Sequence, residues 1–163
     1  MLERPLSYNG ITINDETQAD FHNGYWIRVT SVDGLFGDEI RYESHPIPSG
    51  TGERSSYAFR SGKQLVLTGE IWGKGISQLR EGQWILQSMF WDLQPHKLYF
   101  TPWPLVASGD SLYITCRCNQ PLVMADEFTK LDGLVQLWTV GLRADNPRSF
   151  KTSNNSTYPV WQT

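Results

Sequence analysis

The chain has 163 residues, which suits one domain and makes two independent cores difficult to build. Its formal net charge is -3 and only 19% of the residues are charged. This charge balance excludes the strongly basic surface with which proteins bind nucleic acid, but it does not exclude a protein through which DNA passes without binding. The sequence shows neither a signal-peptide pattern nor an apolar run of membrane-spanning length, so we expect no membrane partner.

Alternating apolar and polar residues predict the first strands. A short strand is expected over residues 11–14, a longer one over 25–32 and a further strong one over 63–72. The residues expected on the buried faces of the two longer strands are Tyr25, Ile27, Val29, Leu65, Leu67, Gly69 and Ile71. The first 24 residues otherwise form an N-terminal arm in this interpretation.

A long polar segment punctuated by Gly and Pro covers residues 35–56. A connection of this length inside a compact domain is usually functional or disordered. Because residues 38–43 have the composition of a strand, we expect an extended hairpin or loop that reaches off the body of the domain.

The apolar period changes to helical spacing over residues 77–93. The positions expected to form one buried stripe are Leu79, Leu86, Met89, Phe90 and Leu93. Ser77 is the expected N-cap, and Gly82 should weaken the helix by about 1 kcal/mol relative to Ala. Gln94 and Pro95 should end the helix.

Three further strands are predicted at residues 97–101, 111–119 and 134–143. The residues of the turns that separate them are Pro102, Pro104, Gly109, Asp110, Pro121, Asp132 and Gly133. Strands, one helix and more strands predict an α+β fold: a mainly antiparallel β-sandwich with one flanking helix and a long hairpin or loop extension. We expect a single domain over residues 1–163, with a C-terminal tail from residue 151.

The sequence offers no convincing catalytic or metal-binding set. His22, His45 and His96 lack a second ligand at metal spacing, and the last two are expected in solvent-facing turns beside prolines. Residues 69–75 miss the spacing and the hydroxyl of a phosphate-binding loop. We therefore expect no enzyme, no cofactor and no metal site.

The two cysteines, Cys116 and Cys118, lie two residues apart on a predicted strand. Their side chains should share one face of the sheet. A bridge between such close neighbours would strain disulfide geometry, so we expect two reduced thiols.

The seven tryptophans leave a binding function open as an alternative. Trp26 and Trp72 lie on the polar faces of their strands, where exposed indoles are able to stack on sugar rings. The competing interpretation is that these aromatics cover the sheet against the helix or against a neighbouring subunit. A monomeric β-sandwich that binds carbohydrate is therefore the alternative to a structural assembly protein.

Three motifs in a fixed order resemble a known family. They are S-Y-A-F-R-S-G-K, then L-T-G-E-I-W-G, and finally L-R-A-D-N-P-R-S-F at the end of the last strand. Their order over roughly residues 25–151 is similar to the N-terminal domain of the distal tail protein family of long-tailed siphophages, whose members are often called phage minor tail proteins. The matching residues are Tyr57, Arg60, Leu67, Gly69, Ile71, Ala144, Asp145, Pro147, Arg148 and Phe150. Asn146 adds one residue to the tightest form of the last motif.

The resemblance implies a tail-tube-like domain and an assembly role at the tail tip of the virion, after assembly in the host cytoplasm. Six copies would close into a ring that caps the tail tube and carries the tail-tip hub, while DNA passes through the bore. The implied partners are further copies of the chain, the tail-tube protein and the tail-tip hub protein, with the tape-measure protein as a further candidate. In such a ring the strands of one subunit continue the sheet of the next.

The candidate interface residues that the resemblance supplies are Tyr57, Arg60, Gly69, Asp145, Pro147 and Arg148. Pro147 cannot donate to a ladder and should stop the strand, while Asp145 should bond local backbone amides in the turn. Arg148 should pin the chain to a carboxylate nearby or across an interface, unless it is a plain surface arginine. Many family members continue into a second, sugar-binding-like β domain; with only residues 151–163 left, we expect the scaffold role alone.

Overall fold

The structure is a computed structural model that describes residues 5–15, 23–35, 40–46, 53–60, 62–101, 111–131, 133–146, 148–152 and 157–158. The elements are β1 (Leu6–Tyr8), β2 (Ile11–Ile13), β3 (Tyr25–Asp33), β4 (Ile40–Pro46), β5 (Glu53–Arg60), β6 (Lys63–Gly73), α1 (Ile76–Phe90), β7 (His96–Phe100), β8 (Leu112–Leu131), β9 (Gly133–Ala144), β10 (Ser149–Lys151) and β11 (Thr157–Tyr158). A nine-stranded sheet has the order β2-β1-β7-β8-β9-β6-β3, with β10 beside β8 and β11 beside β10. All strand pairs described are antiparallel, which confirms the predicted α+β fold.

The alternation of buried and more exposed side chains along β3 and β6 defines the two faces of this part of the sheet. On β6, every second residue from Lys63 to Gly73 is buried, and the residues between them are half-buried or exposed. The faces predicted for β3 and β6 are confirmed, because side chains alternate along a strand with a period of two. We call the buried side the inner face and the opposite side the outer face.

Strand β8 joins the two halves of the sheet. Its first residues pair with β7, from Leu112 opposite Phe100 to Cys116 opposite His96, and the residues from Arg117 onward pair with β9. The predicted turn at Pro121 is wrong, since Pro121 lies inside β8. The register against β9 shifts on either side of Gln120, and a proline is tolerated at such an irregularity because the ladder is already interrupted.

The two end strands of the sheet meet at Asn14, directly after β2. The backbone N–H of Asn14 donates to the carbonyl of Ile27 at 3.0 Å, and the backbone N–H of Val29 donates to the side-chain Oδ1 of Asn14 at 3.2 Å. Asn14 is buried with a φ of 58°, a left-handed conformation that asparagine tolerates better than most residues. The sheet therefore folds back on itself, and its two halves enclose one core as the layers of a sandwich.

Helix α1 covers the inner face of β6 and β9. Its buried residues are Leu79, Gly82, Leu86, Met89 and Phe90. A Cβ on Gly82 would lie 2.7 Å from Cγ2 of Ile71, so the glycine permits close packing of helix on sheet. The Gln83 amide donates to Oε1 of Gln136 at 2.6 Å and fixes the helix over β9.

Both predicted ends of the helix need correction. It begins at Ile76, after an extended Gly75 and without a side-chain cap, so Ser77 is not the N-cap. It ends at Phe90, and two residues later Asp92 accepts the amide of Gln94 at 2.9 Å in a local turn. Leu93, predicted in the buried stripe, is 70% exposed because it lies beyond the last helical turn.

The predicted hairpin is present, but it extends beyond the 35–56 segment to Arg60. β4 pairs with β5 from Ile40 opposite Arg60 to Pro46 opposite Glu53, and the register shifts between Tyr42 and Ser44. The two strands form a sheet of their own and share no ladder with the nine-stranded sheet. His45, predicted in a turn, lies in β4 instead.

The sequence patterns did not predict β1, β10 or β11, which are two or three residues long. β2 is equally short, but its Ile-Thr-Ile alternation is visible, whereas the other three strands show no apolar-polar-apolar pattern that stands out from their surroundings. Within the described residues, no helix is long and apolar enough to cross a membrane.

Candidate functional site

Two of the sequence motifs, which are distant in the chain, meet at one end of β6 and β9. Lys63, the first residue of β6, pairs with Ala144, the last residue of β9. A Cβ on Gly62 would lie 2.8 Å from the carbonyl oxygen of Ala144 and 3.4 Å from Cα of Asp145. Glycine at 62 thus lets the two backbones approach. We call residues 62–63, 144–146 and 148 the motif corner.

Lys63 anchors the motif corner to the connection that follows β3. Its side chain is buried, with 7% exposed, and Nζ donates to the carbonyl of Leu35 at 2.8 Å. Gly34 has a φ of +79°, and a Cβ there would collide with the carbonyl of Gln64. A buried ammonium needs such a partner, so Lys63 ties the start of β6 to the start of the long 35–56 segment.

A charged cluster marks the solvent side of the motif corner. Arg117 of β8 lies directly opposite Arg143 of β9, and like charges in that position are unfavourable. The Asp145 carboxylate lies between them, at 3.4 Å from Nη2 of Arg117 and 3.8 Å from Nε of Arg143. These side chains are about half exposed, so the pairs contribute little to stability. Their effect is to offset the repulsion between the two arginines.

The turn chemistry of the motif differs from the prediction. Asn146, not Asp145, accepts the local backbone amide: its Oδ1 receives the Arg148 N–H at 3.1 Å. Asp145 is instead used by the two arginines. The residue that departs from the tightest form of the motif is therefore the one that closes the turn, as asparagine side chains commonly do.

The motif also returns the chain to the sheet. On β8, Arg117 pairs with Arg143 of β9, and Tyr113 pairs with Phe150 of β10. Tyr113 and Arg117 are four residues apart, whereas Arg143 and Phe150 are seven residues apart. The turn thus accommodates three extra residues, and β10 then resumes pairing with β8. The rings of Tyr113 and Phe150 stack at 5.5 Å, which explains the final aromatic of the motif. Pro147 lies outside the described residues, so its strand-ending role stays a prediction.

The remaining candidate residues do not all join the motif corner. Arg148 is exposed, and no carboxylate of the described residues forms an ion pair with it, so a contact across an interface stays a prediction. Tyr57 and Arg60 belong to β5, of which only the backbone is described. Gly69 lies at the middle of β6 and is buried on the inner face, remote from the corner in sequence and register.

Gly69 has a packing role in this fold. A Cβ there would collide with the carbonyl oxygen of Arg28 and would lie 2.5 Å from Cζ2 of Trp138, its cross-strand neighbour. Trp138 is 2% exposed and contacts Phe90 of the helix at 6.2 Å between ring centroids. The glycine in the L-T-G-E-I motif therefore provides the space that a buried indole occupies.

Trp26 and Trp72 lie on the outer face, as predicted, and the structure shows that they are cross-strand neighbours. Both are half-buried, and their buried indole N–H groups have no hydrogen-bond partner among the described residues. Helix α1 packs on the opposite face, so these two residues do not cover the sheet against the helix. Half-buried rings present less surface for stacking on sugars, which weakens the alternative at this pair.

Two other tryptophans are far more exposed. Trp84 and Trp91 of the α1 region expose 74% and 84% of their surface, and with Gln87 and Ser88 they line a shallow depression of about 170 Å³. The sequence analysis missed them. Their spacing of seven residues, which places two helical residues on nearly the same side, is the signal that identifies them.

The cysteines lie in a buried cluster around Tyr8. Both thiols are free, as predicted, and burial raises the pKa of Cys116 to about 12 and also raises that of Cys118. The Tyr8 hydroxyl donates to the carbonyl of Cys116 at 3.2 Å, and burial raises its pKa well above the usual range. Thiols held in the protonated form are poor nucleophiles.

His96 borders this cluster and corrects another prediction. It begins β7, is half-buried and packs edge-on against Tyr8, so it is not a solvent-facing turn residue. Its Nε2 lies 2.9 Å from Oδ2 of Asp92. The Gln94 amide and His96 lower the pKa of that carboxyl. His22 lies outside the described residues. In the parts of the chain that the structure describes, no group of three His, Cys, Asp or Glu is placed to hold a metal ion.

The fold that the described residues form, an antiparallel sheet packed against a helix, is similar to the fold of a known phage tail protein. The sequence matches no protein family and no curated protein. The fold is similar to that in the crystal structure of SPP1 Dit (gp 19.1), described as a paradigm of the hub adsorption apparatus in phages that infect Gram-positive bacteria, with a TM-score of 0.62 and 15% identity. The match covers 90% of this chain and 51% of that one, so the chain spans about half the length of its structural neighbour.

Proposed function

We propose that this chain is a structural component of a phage virion, a ring at the distal end of a long non-contractile tail. The ring joins the tail tube to the tail-tip hub and lets DNA pass through its bore. The observation that carries the proposal is the likeness of the fold, over 90% of the chain, to a protein of a phage adsorption hub. The order of the three sequence motifs supports the same assignment independently of that superposition.

The detached hairpin supports an assembly role. Among the described elements, β4 and β5 contact chiefly each other, and they share no ladder with the main sheet. A two-stranded hairpin without further support is marginally stable in water. We therefore assign the hairpin to an inter-subunit or inter-ring clamp, in which contacts with a neighbouring copy supply the missing support.

The motif corner supplies a second contact surface in this proposal. Arg117, Arg143 and Arg148 are exposed there, and Asp145 is the carboxylate that the structure places in contact with the first two. The excess positive charge suits an acidic group on an adjacent subunit. Two different surfaces, hairpin and corner, give head-to-tail contacts, and such contacts close into a ring when the rotation permits.

The partners follow from this placement. They are further copies of the chain, six to a ring, the tail-tube protein on one side and the tail-tip hub protein on the other, with the tape-measure protein as a further candidate. Contacts alone perform this function, so the proposal requires neither catalysis nor a cofactor.

The proposal is tested by removing the clamp. Deleting residues 44–54 removes the distal ends of β4 and β5 and leaves every strand of the nine-stranded sheet in place. The deleted protein should keep its circular dichroism and its cooperative unfolding, but it should no longer form rings in electron micrographs. Gly75→Ala, a substitution outside both surfaces, is the matched control and should form rings like the natural chain. Rings that survive the deletion would refute the clamp.

A further inference from the structure

Two indoles, Trp84 of α1 and Trp91 directly after its last residue, lie on the outward side of the helix, where a surface helix is usually polar. Trp84 and Trp91 differ by seven residues, so at about 100° per residue they point within roughly 20° of each other. The buried stripe, which includes Leu79 and Leu86, lies on the other side of the helix. With 74% and 84% of their surfaces exposed, neither indole contributes to the core.

Polar groups lie between the two rings. Trp84, Gln87, Ser88 and Trp91 line the depression of about 170 Å³, and we call this set the tryptophan platform. The Cα positions of the two tryptophans are separated by about 10 Å along the helix axis. The Gln87 amide offers a donor and an acceptor, and the Ser88 hydroxyl, which donates to the Trp84 carbonyl at 2.9 Å, keeps its acceptor capacity. No charged residue belongs to this lining.

The extent of the platform favours a small ligand over a protein. A Trp side chain offers up to roughly 150–250 Å², so the two exposed indoles present roughly 250–400 Å² together. A stable protein interface buries about 800 Å² on each partner, around an apolar centre. Exposed Arg80 and Glu81 bound the apolar surface toward the start of the helix, and on the other side Leu93 is the exposed apolar residue that follows Trp91.

We propose that the tryptophan platform binds a neutral pyranose oligosaccharide. The C–H groups on the flat side of a sugar ring lie against the electron-rich face of an indole, and two indoles hold successive parts of a short chain. Hydroxyl groups between the stacked rings bond to Gln87 and Ser88. The lining itself offers no charged partner to an anionic sugar. This binding is independent of the ring, since it uses neither the hairpin nor the motif corner.

The test is titration of the purified full chain with neutral oligosaccharides. The probes are β-1,4-linked glucose, β-1,4-linked N-acetylglucosamine and α-1,4-linked glucose oligomers, followed by tryptophan fluorescence and saturation-transfer NMR. At least one probe should bind saturably. Trp84→Ala and Trp91→Ala should each weaken its affinity about tenfold or more. Leu137→Ala, which removes another exposed apolar side chain on β9, is the control and should leave the affinity unchanged.

The possible results distinguish saccharide binding from a protein contact and from loss of the fold. Circular dichroism of both variants should match the natural chain, because the two indoles lie outside the core. The proposal is overturned if no probe binds at about 10 mM saccharide, or if both variants bind as the natural chain does. It is equally overturned if the variants lose only self-association, since the platform would then be a contact between proteins. If the hairpin deletion abolishes rings but the deleted protein still binds saccharide, the saccharide proposal stands.

Discussion

Replacing Gly69 with Ala adds one methyl group at a crowded point of the sheet. The new Cβ would collide with the carbonyl oxygen of Arg28 and lie 2.5 Å from Cζ2 of Trp138. Neither neighbour moves easily. The carbonyl belongs to the β3–β6 ladder just before its register shift, and Trp138 is 2% exposed and surrounded by the core.

The expected cost follows from these two contacts. An extra methyl group in a well-packed core costs typically 1–3 kcal/mol, and two rigid neighbours place Gly69→Ala at or above the upper end of that range. The lower chain entropy of Ala in a strand offsets roughly 0.5–1 kcal/mol. The free energy of unfolding should therefore fall by about 2–3 kcal/mol. For a chain of this length, the midpoint of thermal unfolding should fall by roughly 4–12 °C.

The assay is urea unfolding followed by tryptophan fluorescence and circular dichroism. The matched control is Gly75→Ala, where the backbone is extended and the nearest atom to a Cβ is the flexible Oε1 of Gln78 at 3.0 Å. That variant should stay within about 0.5 kcal/mol of the natural chain. If Gly69→Ala is as stable as Gly75→Ala, the packing account of the L-T-G-E-I motif is wrong.

Three further predictions concern ionisable groups. Cys116 and Cys118, whose thiol pKa values are raised by burial, should resist alkylation at pH 8 in the folded protein and react fully after unfolding, as measured by mass spectrometry; rapid labelling of the folded chain would contradict this. Asp145→Asn should lower the free energy of unfolding by less than about 1 kcal/mol, and by less still at high salt, in paired urea titrations. A larger, salt-independent loss would contradict the exposed geometry. The Asp92 carboxyl should titrate below the usual aspartate pKa in carboxyl-detected NMR, so its stabilising contribution is present near neutral pH and is lost as the pH falls through that lowered pKa; an ordinary or raised pKa would contradict it.

The sequence predicted the parts of the fold in which a local period meets the core. In β3 and β6 the alternation alone assigns each residue to a face, because one side of the sheet is buried against the helix and the other is not. The two reduced thiols followed from the same geometry. The hairpin was predicted from strand composition within a long polar segment, although its detachment from the main sheet was not.

The errors arise where tertiary contacts override local signals. Pro121 usually marks a turn, but β8 continues through it because β9 pairs with β8 on both sides of the irregularity. Leu93 fits the apolar period, yet the helix ends before it. At the motif corner, Asp145 was expected to close the turn, but Asn146 does so. The exchange of roles between Asp145 and Asn146 depends on Arg117, which is distant in sequence, so no local pattern could predict it.

The central claim, assembly of identical copies into a ring, is tested most directly by native mass spectrometry over a range of protein concentrations, with electron microscopy of the same samples. The account predicts a discrete closed oligomer of a single size, visible as rings with a central opening. A protein that remains a monomer at every concentration, with no rings in the micrographs, would contradict it.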